Sequence, residues 1–258
     1  MDLDKKNIII KYGSNEDYLV ICDHSSNNIP IEYKNLGISS NDIESHRAYD
    51  LGASEVSVEL SKLLNCNLIM ANFSRLLIDP NRGEDDPTLI PKISEGKIIK
   101  GNVNISKCSS DEDRNKRILN FYLPYHEQIS KFVNSSLKKG KILKILSIHS
   151  FTPIWMGKKR EIDVGILWDK DDRLSKIFLN SLKNIKLGDN KPYSGRLKND
   201  TLYKHATSFG IPHVLIELRQ DLLKKGKDKL RWAKKIYNVL KENEKTIKSF
   251  SLKKYGSY

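Results

Sequence analysis

The chain alternates between two apolar rhythms. Short runs with few polar residues recur at 18–22 (Tyr-Leu-Val-Ile-Cys), 67–71, 142–147, 162–168 and 213–218. Runs this short, apolar on both faces, suit strands in the middle of a sheet. Another strand is predicted over 6–12, closed by the Gly13-Ser-Asn turn. Between the runs, apolar residues recur at helical spacing. Ser40 or Asn41 can cap a helix to Leu64, with Leu51, Val56, Val58, Leu60 and Leu63 on its apolar face. Further helices are predicted over 110–138, with a kink at Pro124, over 171–187, briefly over 200–209, and over 224–249 through Leu230, Trp232, Ile236, Leu240 and Ile247. Arg75 to Arg82 is a short apolar run that ends in polar residues. The stretch 83–107, rich in Gly, Pro, Asn and Asp, reads as one long loop, and such loops in compact domains are usually functional. Strands alternating with helices give an α/β class. No repeat or low-complexity linker interrupts 1–258, so a single domain is expected.

Charge adds a second possibility. With 45 Lys and Arg against 32 Asp and Glu, the 258 residues carry a net +13. Such a balance invites an anionic partner. The lysines, however, are spread along the chain. Their densest runs (138–139, 158–160, 224–229, 253–254) fall at predicted helix ends, in loops or at the C-terminus, without interleaved aromatics. A solvated basic surface is the preferred reading. The alternative is a non-catalytic nucleic-acid or anionic-surface binder on the same scaffold, with steeply salt-dependent affinity and no metal.

Cys22, Cys66 and Cys108 form no CxxC pair, which suits free thiols in a reducing compartment. No apolar run reaches the length of a membrane span, and the first residues lack a signal region. A cytoplasmic protein with no membrane association is expected.

Three predicted strands end in chemically capable residues, His24, His149 and Glu217. In open α/β sheets ligands gather at the carboxyl ends of strands. Two imidazoles and a carboxylate there match a metal-assisted hydrolytic site, since zinc binds neutral imidazole and carboxylate oxygen and activates water near pH 7. Each residue also has a plain structural reading. A histidine after a strand can be a hydrogen-bonded loop residue, and Glu217 can pair with Arg219 or another arginine.

The surrounding residues favour the site. His24-Ser-Ser-Asn-Asn-Ile-Pro30, His46-Arg-Ala-Tyr-Asp-Leu-Gly-Ala53, Ser74-Arg-Leu-Leu-Ile-Asp-Pro-Asn-Arg82 and Tyr122-Leu-Pro-Tyr-His126 come first in order. Ile148-His-Ser-Phe-Thr-Pro153, Asp163-Val-Gly-Ile-Leu167, Lys191-Pro-Tyr-Ser194 and Ile216-Glu-Leu-Arg-Gln-Asp221 follow. Together with Asp86-Pro-Thr-Leu-Ile-Pro91 and Gly101-Asn102, these blocks resemble the N-formylglutamate amidohydrolase family over about 18–222.

The resemblance implies a zinc-peptidase or carboxypeptidase-like fold, a mixed and largely parallel sheet flanked by helices. It implies hydrolysis of the amide of a small N-acyl amino acid such as N-formyl-glutamate, or of another N-acyl amino acid or peptide-like amide. One Zn2+ per chain is expected, with iron or manganese as other divalent choices. His24 and His149 match the histidine ligands and Glu217 the general base. Arg75, Asn81 and Arg82 match positions that hold the scissile carbonyl and a substrate carboxylate, and Arg219 is a further contact. The wider superfamily's third ligand is the glutamate of His-x-x-Glu, where this chain has Asn27. Asp50, on the predicted helix 40–64, is the candidate replacement. Its alternative reading is a salt-bridged Asp beside Arg47. His46, one turn before Asp50 on the same helix face, is a weaker candidate. Arg82 could instead pair with Asp79. The loop 83–107 is expected to fold over the substrate, and His126 and His205 read as core histidines.

Overall fold

The computed structural model describes residues 7–106, 108 and 110–255. Lys6 and Lys107, at the edges of the predicted first strand and of the predicted loop, lie outside the described residues. Among the described residues, one seven-stranded sheet comprises β1 (Ile8–Lys11), β2 (Asn15–Cys22), β3 (Cys66–Ala71), β4 (Lys144–Phe151), β5 (Val164–Leu167), β6 (Leu187–Asp189) and β7 (His213–Arg219). The spatial order is β1-β3-β2-β4-β7-β5-β6. The central neighbours β3, β2, β4 and β7 are parallel. β1 runs antiparallel to β3, β5 runs antiparallel to β7, and β6 is parallel to β5. The sheet is mixed and largely parallel.

Four helices matter for packing: α1 (Ala53–Leu64), α2 (Leu123–Lys138), α3 (Arg173–Ser181) and α4 (Gly226–Glu242). Strand side chains alternate between faces. Val20, Leu68, Leu146, Ile148, Val214 and Ile216 form one apolar core with α1, α3 and α4. Leu19, Ile21, Ile69, Ile145 and Leu215 form the other, with Tyr125, Ile129 and Val133 of α2. By the same alternation, Asp23 extends the Leu19–Ile21 side. Ser147, His149 and Phe151 extend the Ile145 side, and Glu217 and Arg219 the Leu215 side. The polar ends of the central strands therefore share one face, where His149, Phe151, Leu215 and Glu217 line a cleft of about 450 Å3.

Several elements depart from the sequence pattern. The predicted helix 40–64 is broken. Ser40–Ile43 is one short turn of helix capped by Ser39, and α1 begins only at Ala53. The backbone between them is claimed by other loops. The Asp50 N–H donates to His24 O at 2.9 Å, and the Arg75 N–H and Ser74 Oγ donate to Ala48 O at 3.2 and 2.9 Å. These long-range bonds override a weak local helix preference. Gly52 makes the turn into α1 with φ of 84°, and a Cβ there would come within 2.7 Å of Leu223.

The predicted kink near Pro124 is a π segment, Ile118–Tyr122, between Glu112–Arg117 and α2. The wider turn lies just before the proline, which lacks an N–H and crowds the carbonyl four residues back. The predicted helix 171–187 stops at Ser181, and its last residue, Leu187, opens β6. The stretch 200–209 is a short helix, Thr201–His205, capped by Asp200, then a 3-10 turn. The 224–249 helix is split into α4 and Glu244–Lys248. Within the long loop, Ile93–Ser94 and Lys97–Ile98 form a small hairpin. A second hairpin pairs Ile154–Trp155 with Lys158–Lys159. All three cysteines are free, and among the described residues no helix is long and apolar enough to cross a membrane.

Candidate active site

His24 follows the end of β2, His149 lies in β4, and Glu217 lies in β7 directly opposite His149 in register. The turn before α1 supplies Asp50. The candidate ligand atoms of buried His24, Asp50 and His149 all lie within 4.8 Å of one another. Asp50 Oδ2 is 2.9 Å from His149 Nδ1 and 3.5 Å from His24 Nδ1.

A carboxylate stands behind each ring. Asp79 Oδ1 is 2.7 Å from His24 Nε2, and Asp23 Oδ2 is 3.0 Å from His149 Nε2. A carboxylate only accepts, so each Nε2 carries a proton, and the Nδ1 of each ring is the nitrogen that faces inward. Two consequences follow. His24 Nδ1 is buried with no hydrogen-bond partner. His149 Nδ1, if neutral, would face a carboxylate oxygen at 2.9 Å, acceptor against acceptor. Such a contact calls for a cation, either a proton on His149 or a metal ion. Burial opposes charge on His149, but Asp23 and Asp50 outweigh it and raise its pKa well above the ordinary value. Burial also opposes the Asp50 charge, and the two imidazoles still hold its pKa far below the usual carboxylate range. Two imidazole nitrogens, one carboxylate oxygen and a carboxylate behind each ring fit a divalent cation.

Neither other ligand candidate joins the cluster. Asn27 Nδ2 donates to Ile43 O at 3.2 Å. His46 is 2.8 Å from Glu95, with its side chain 30% exposed. Because 44–52 is turn rather than helix, His46 and Asp50 share no helix face. The alternative Asp50–Arg47 salt bridge does not form among the described residues, since Arg47 binds Asp42. Beside the cluster, Glu217 is buried and its Oε2 has no partner. Burial pushes its pKa up to about 7.

The model of the N-formylglutamate amidohydrolase family matches residues 17–224. The chain belongs to this family. All of His24, Asp50, His149 and Glu217 fall inside the matched span. Among solved structures, a gene product of Agrobacterium tumefaciens is 30% identical, with a TM-score of 0.88 over 96% of this chain and 98% of its own. The N-formylglutamate amidohydrolase of Ralstonia eutropha is 16% identical, with a TM-score of 0.65 over 94% and 98% of the two chains, and shares the fold. No curated protein matches the chain.

The candidate arginines divide into two groups. Arg75 and Arg82 line the cleft. Arg75 donates to Asp79 Oδ2 at 2.8 Å and reaches Asp50 Oδ1 at 3.7 Å. Arg82 donates to Thr88 Oγ1 and Asn81 O, and pairs with no carboxylate among the described residues. The pairing with Asp79 does not form, because Asp79 already serves His24, Arg75 and the Asn81 N–H. Asn81 also lines the cleft, while its Oδ1 accepts the Thr201 N–H at 3.1 Å. Arg219 stands apart. Its guanidinium binds Asp221 at 2.7 Å, Asp163 at 3.0 Å and the carbonyls of residues 160–162, and it is not among the cleft-lining residues. The Glu217–Arg219 pair considered from sequence is therefore not made.

From the sequence, Asp23, Asp79 and Tyr193 are not among the candidate site residues. Asp23 adjoins His24, and Asp79 stands two residues before Asn81, so proximity to the quoted blocks was the available signal. Tyr193 comes from a loop pressed against β5. A Cβ on Gly165 would meet Lys191 O at 2.3 Å and Glu217 Cβ at 3.2 Å. Glycine there lets the loop lie flat beside Glu217.

Proposed function

We propose that this single-domain amidohydrolase is metal-dependent and cleaves the amide of an N-formyl or other short N-acyl amino acid, with N-formyl-glutamate the leading substrate. The observation that carries the metal is the inward pair of Nδ1 atoms, one without a partner and one against Asp50. His24, His149 and Asp50 would hold the ion, with zinc the preferred identity for this donor set. Bound there, the metal would polarise the amide carbonyl and make water a nucleophile near neutral pH.

The remaining roles fall to the chain. Glu217, desolvated and with a free oxygen, takes a proton from the attacking water. It returns that proton to the amine nitrogen as the C–N bond breaks. Arg75 is held by Asp79 with part of its side chain still exposed to the cleft, and so faces the carbonyl oxygen as it gains charge. Arg82 has no competing carboxylate among the described residues and offers its fork to a carboxylate of the substrate. Asn81 shapes the cleft wall next to it. Arg219 braces the backbone around 160–162 instead of touching substrate. The loop 83–107 contributes Thr88, Pro91 and the Ile93–Glu95 segment to the cleft and acts as its cover.

Elemental analysis of protein purified without added metal tests this directly. About one metal per chain is expected, lost when His24→Ala is combined with His149→Ala. Glu217→Gln should keep the metal and lose roughly 10²–10⁴-fold in kcat on N-formyl-glutamate. A metal-free wild type that takes up none on titration would defeat the reading. So would a Glu217→Gln variant with wild-type turnover.

A further inference from the structure

Tyr193 lines the cleft and is 41% exposed. Its hydroxyl oxygen sits 2.8 Å from Nη1 of Arg160. An arginine only donates, so the phenol oxygen accepts that bond. The phenol's own proton is then left over. Among the described residues, no group accepts it. Burial raises the phenol's pKa above its ordinary value despite the Arg160 bond, so the hydroxyl keeps its proton.

Arg160 is itself firmly held. Its guanidinium lies over the rings of Phe151, Trp155 and Tyr193, at 5.4, 5.2 and 4.9 Å. Its N–H donates to Pro153 O at 2.8 Å, and Arg219 donates to its carbonyl at 3.1 Å. No carboxylate pairs with it among the described residues. A cation stacked on three aromatic faces, with its backbone braced at both ends, fixes the phenol it binds.

We infer that Tyr193 is a substrate-contacting hydrogen-bond donor of this site, and that Arg160 is a positioning residue that acts through it by turning the hydroxyl proton into the cleft. The group it meets is an oxygen acceptor beside Glu217, either a substrate carboxylate or the amide oxygen. The identity of the ligand rests on the amidohydrolase reading above. It also gives Arg219 a purpose, as the brace that sets Arg160.

A double-mutant cycle tests the pair on the metal-loaded, full-length protein with N-formyl-glutamate. Tyr193→Phe should lower kcat/KM roughly ten- to hundredfold, the range for a hydrogen bond to a charged oxygen. The loss appears in KM if the partner is a carboxylate, and in kcat if it is the reacting oxygen. Arg160→Ala should lower kcat/KM several-fold in the wild type and not at all in Tyr193→Phe. Arg160→Lys, which can still donate to the phenol, should recover part of the loss. A Tyr193→Phe enzyme within about twofold of wild type, or an equal Arg160→Ala loss with and without the hydroxyl, overturns the inference. If the wild type hydrolyses no formyl amide, the reaction reading falls on its own. The same cycle is then read from calorimetric binding of N-formyl-glutamate in a Glu217→Gln background. Coupled losses there support the Tyr193 contact, and uncoupled losses or no binding end it.

Discussion

His24 with His149, and His126 with His205, are both close pairs of buried rings. The first meets edge to face with centroids 4.9 Å apart, and the second stacks at 5.1 Å. Their surroundings differ in charge. The first pair has Asp79, Asp23 and Asp50 around it. The second has Pro80 O on His126 Nε2 at 3.0 Å and Ser130 Oγ near His205 Nδ1 at 3.4 Å. A carbonyl only accepts, so His126 Nε2 donates and its Nδ1 accepts from His205 Nε2 at 2.8 Å. His205 Nδ1 then accepts from Ser130. Every nitrogen of that pair is satisfied with both rings neutral. In the first pair neutrality leaves one lone pair orphaned and another against a carboxylate. The same residue type, buried in both places, is a core filler in one and, on the proposed reading, a cation holder in the other. Carboxylates decide which. Asp79 and Pro80, adjacent in sequence, serve one pair each.

The largest expected effect breaks the comparison outright. His149→Ala should abolish stoichiometric metal binding, seen by equilibrium dialysis with elemental detection, whereas His126→Gln should leave it intact. Metal lost equally from both variants would mean the two pairs are not distinct in kind. The next effect is graded. Asp79→Asn and Asp23→Asn keep shape but remove the charge behind each ring, and should weaken metal binding by roughly 10–100-fold. An amide that left affinity unchanged would show that the carboxylates only fill space.

Proton release sharpens the contrast further. The raised pKa of His149 means that its metal-free form carries a proton at neutral pH, while Asp50 does not. A metal at the proposed site would displace the His149 proton to reach its Nδ1. Calorimetric titration in buffers of different ionisation enthalpy should therefore show about one proton released per metal bound at pH 7. Affinity should rise with pH until His149 deprotonates without help, and then level off. Uptake independent of pH would place the ion elsewhere.

Much of the fold, and the polar strand ends of the candidate site, can be read in the sequence for a physical reason. Strands buried on both faces leave dense apolar runs, and polar residues at their ends stand out against them. His24, His149 and Glu217 could be picked that way. Asp50 is singled out only through the family resemblance, and the predicted helix 40–64 that carries it is broken over 44–52. Residues 44–52 are compatible with a helix locally, and only long-range bonds from His24, Ser74 and Arg75 draw them into a turn. The carboxylates behind the two rings are invisible in the sequence because their meaning depends on which ring nitrogen they meet. Arg219 was misleading for the complementary reason. Its place in a quoted block suggested substrate contact, yet its guanidinium is fully used by Asp163, Asp221 and nearby carbonyls. β6 escaped notice because three residues carry no period to read.

The smallest effect concerns stability and belongs to the neutral pair. Burial lowers the pKa of His205 to about 4, and that of His126 well below the ordinary value. A histidine whose folded pKa is depressed binds fewer protons folded than unfolded. Its contribution is therefore whole above the unfolded value of about 6.5 and is lost as pH falls toward the folded value. Wild-type Tm should drop between pH 6.5 and about 4 partly on this account. His205→Gln removes the titration but keeps an amide that can donate to His126. It should cost about 1 kcal/mol at pH 7.5 through poorer geometry, and should flatten the acid limb of Tm against pH. His149→Gln, measured without metal, should do the reverse. Its raised pKa makes the wild-type contribution largest at low pH, so the difference in Tm between wild type and variant should shrink as pH climbs through the folded pKa. If both variants change Tm with the same sign of pH dependence, the electrostatic distinction between the two imidazole pairs does not hold.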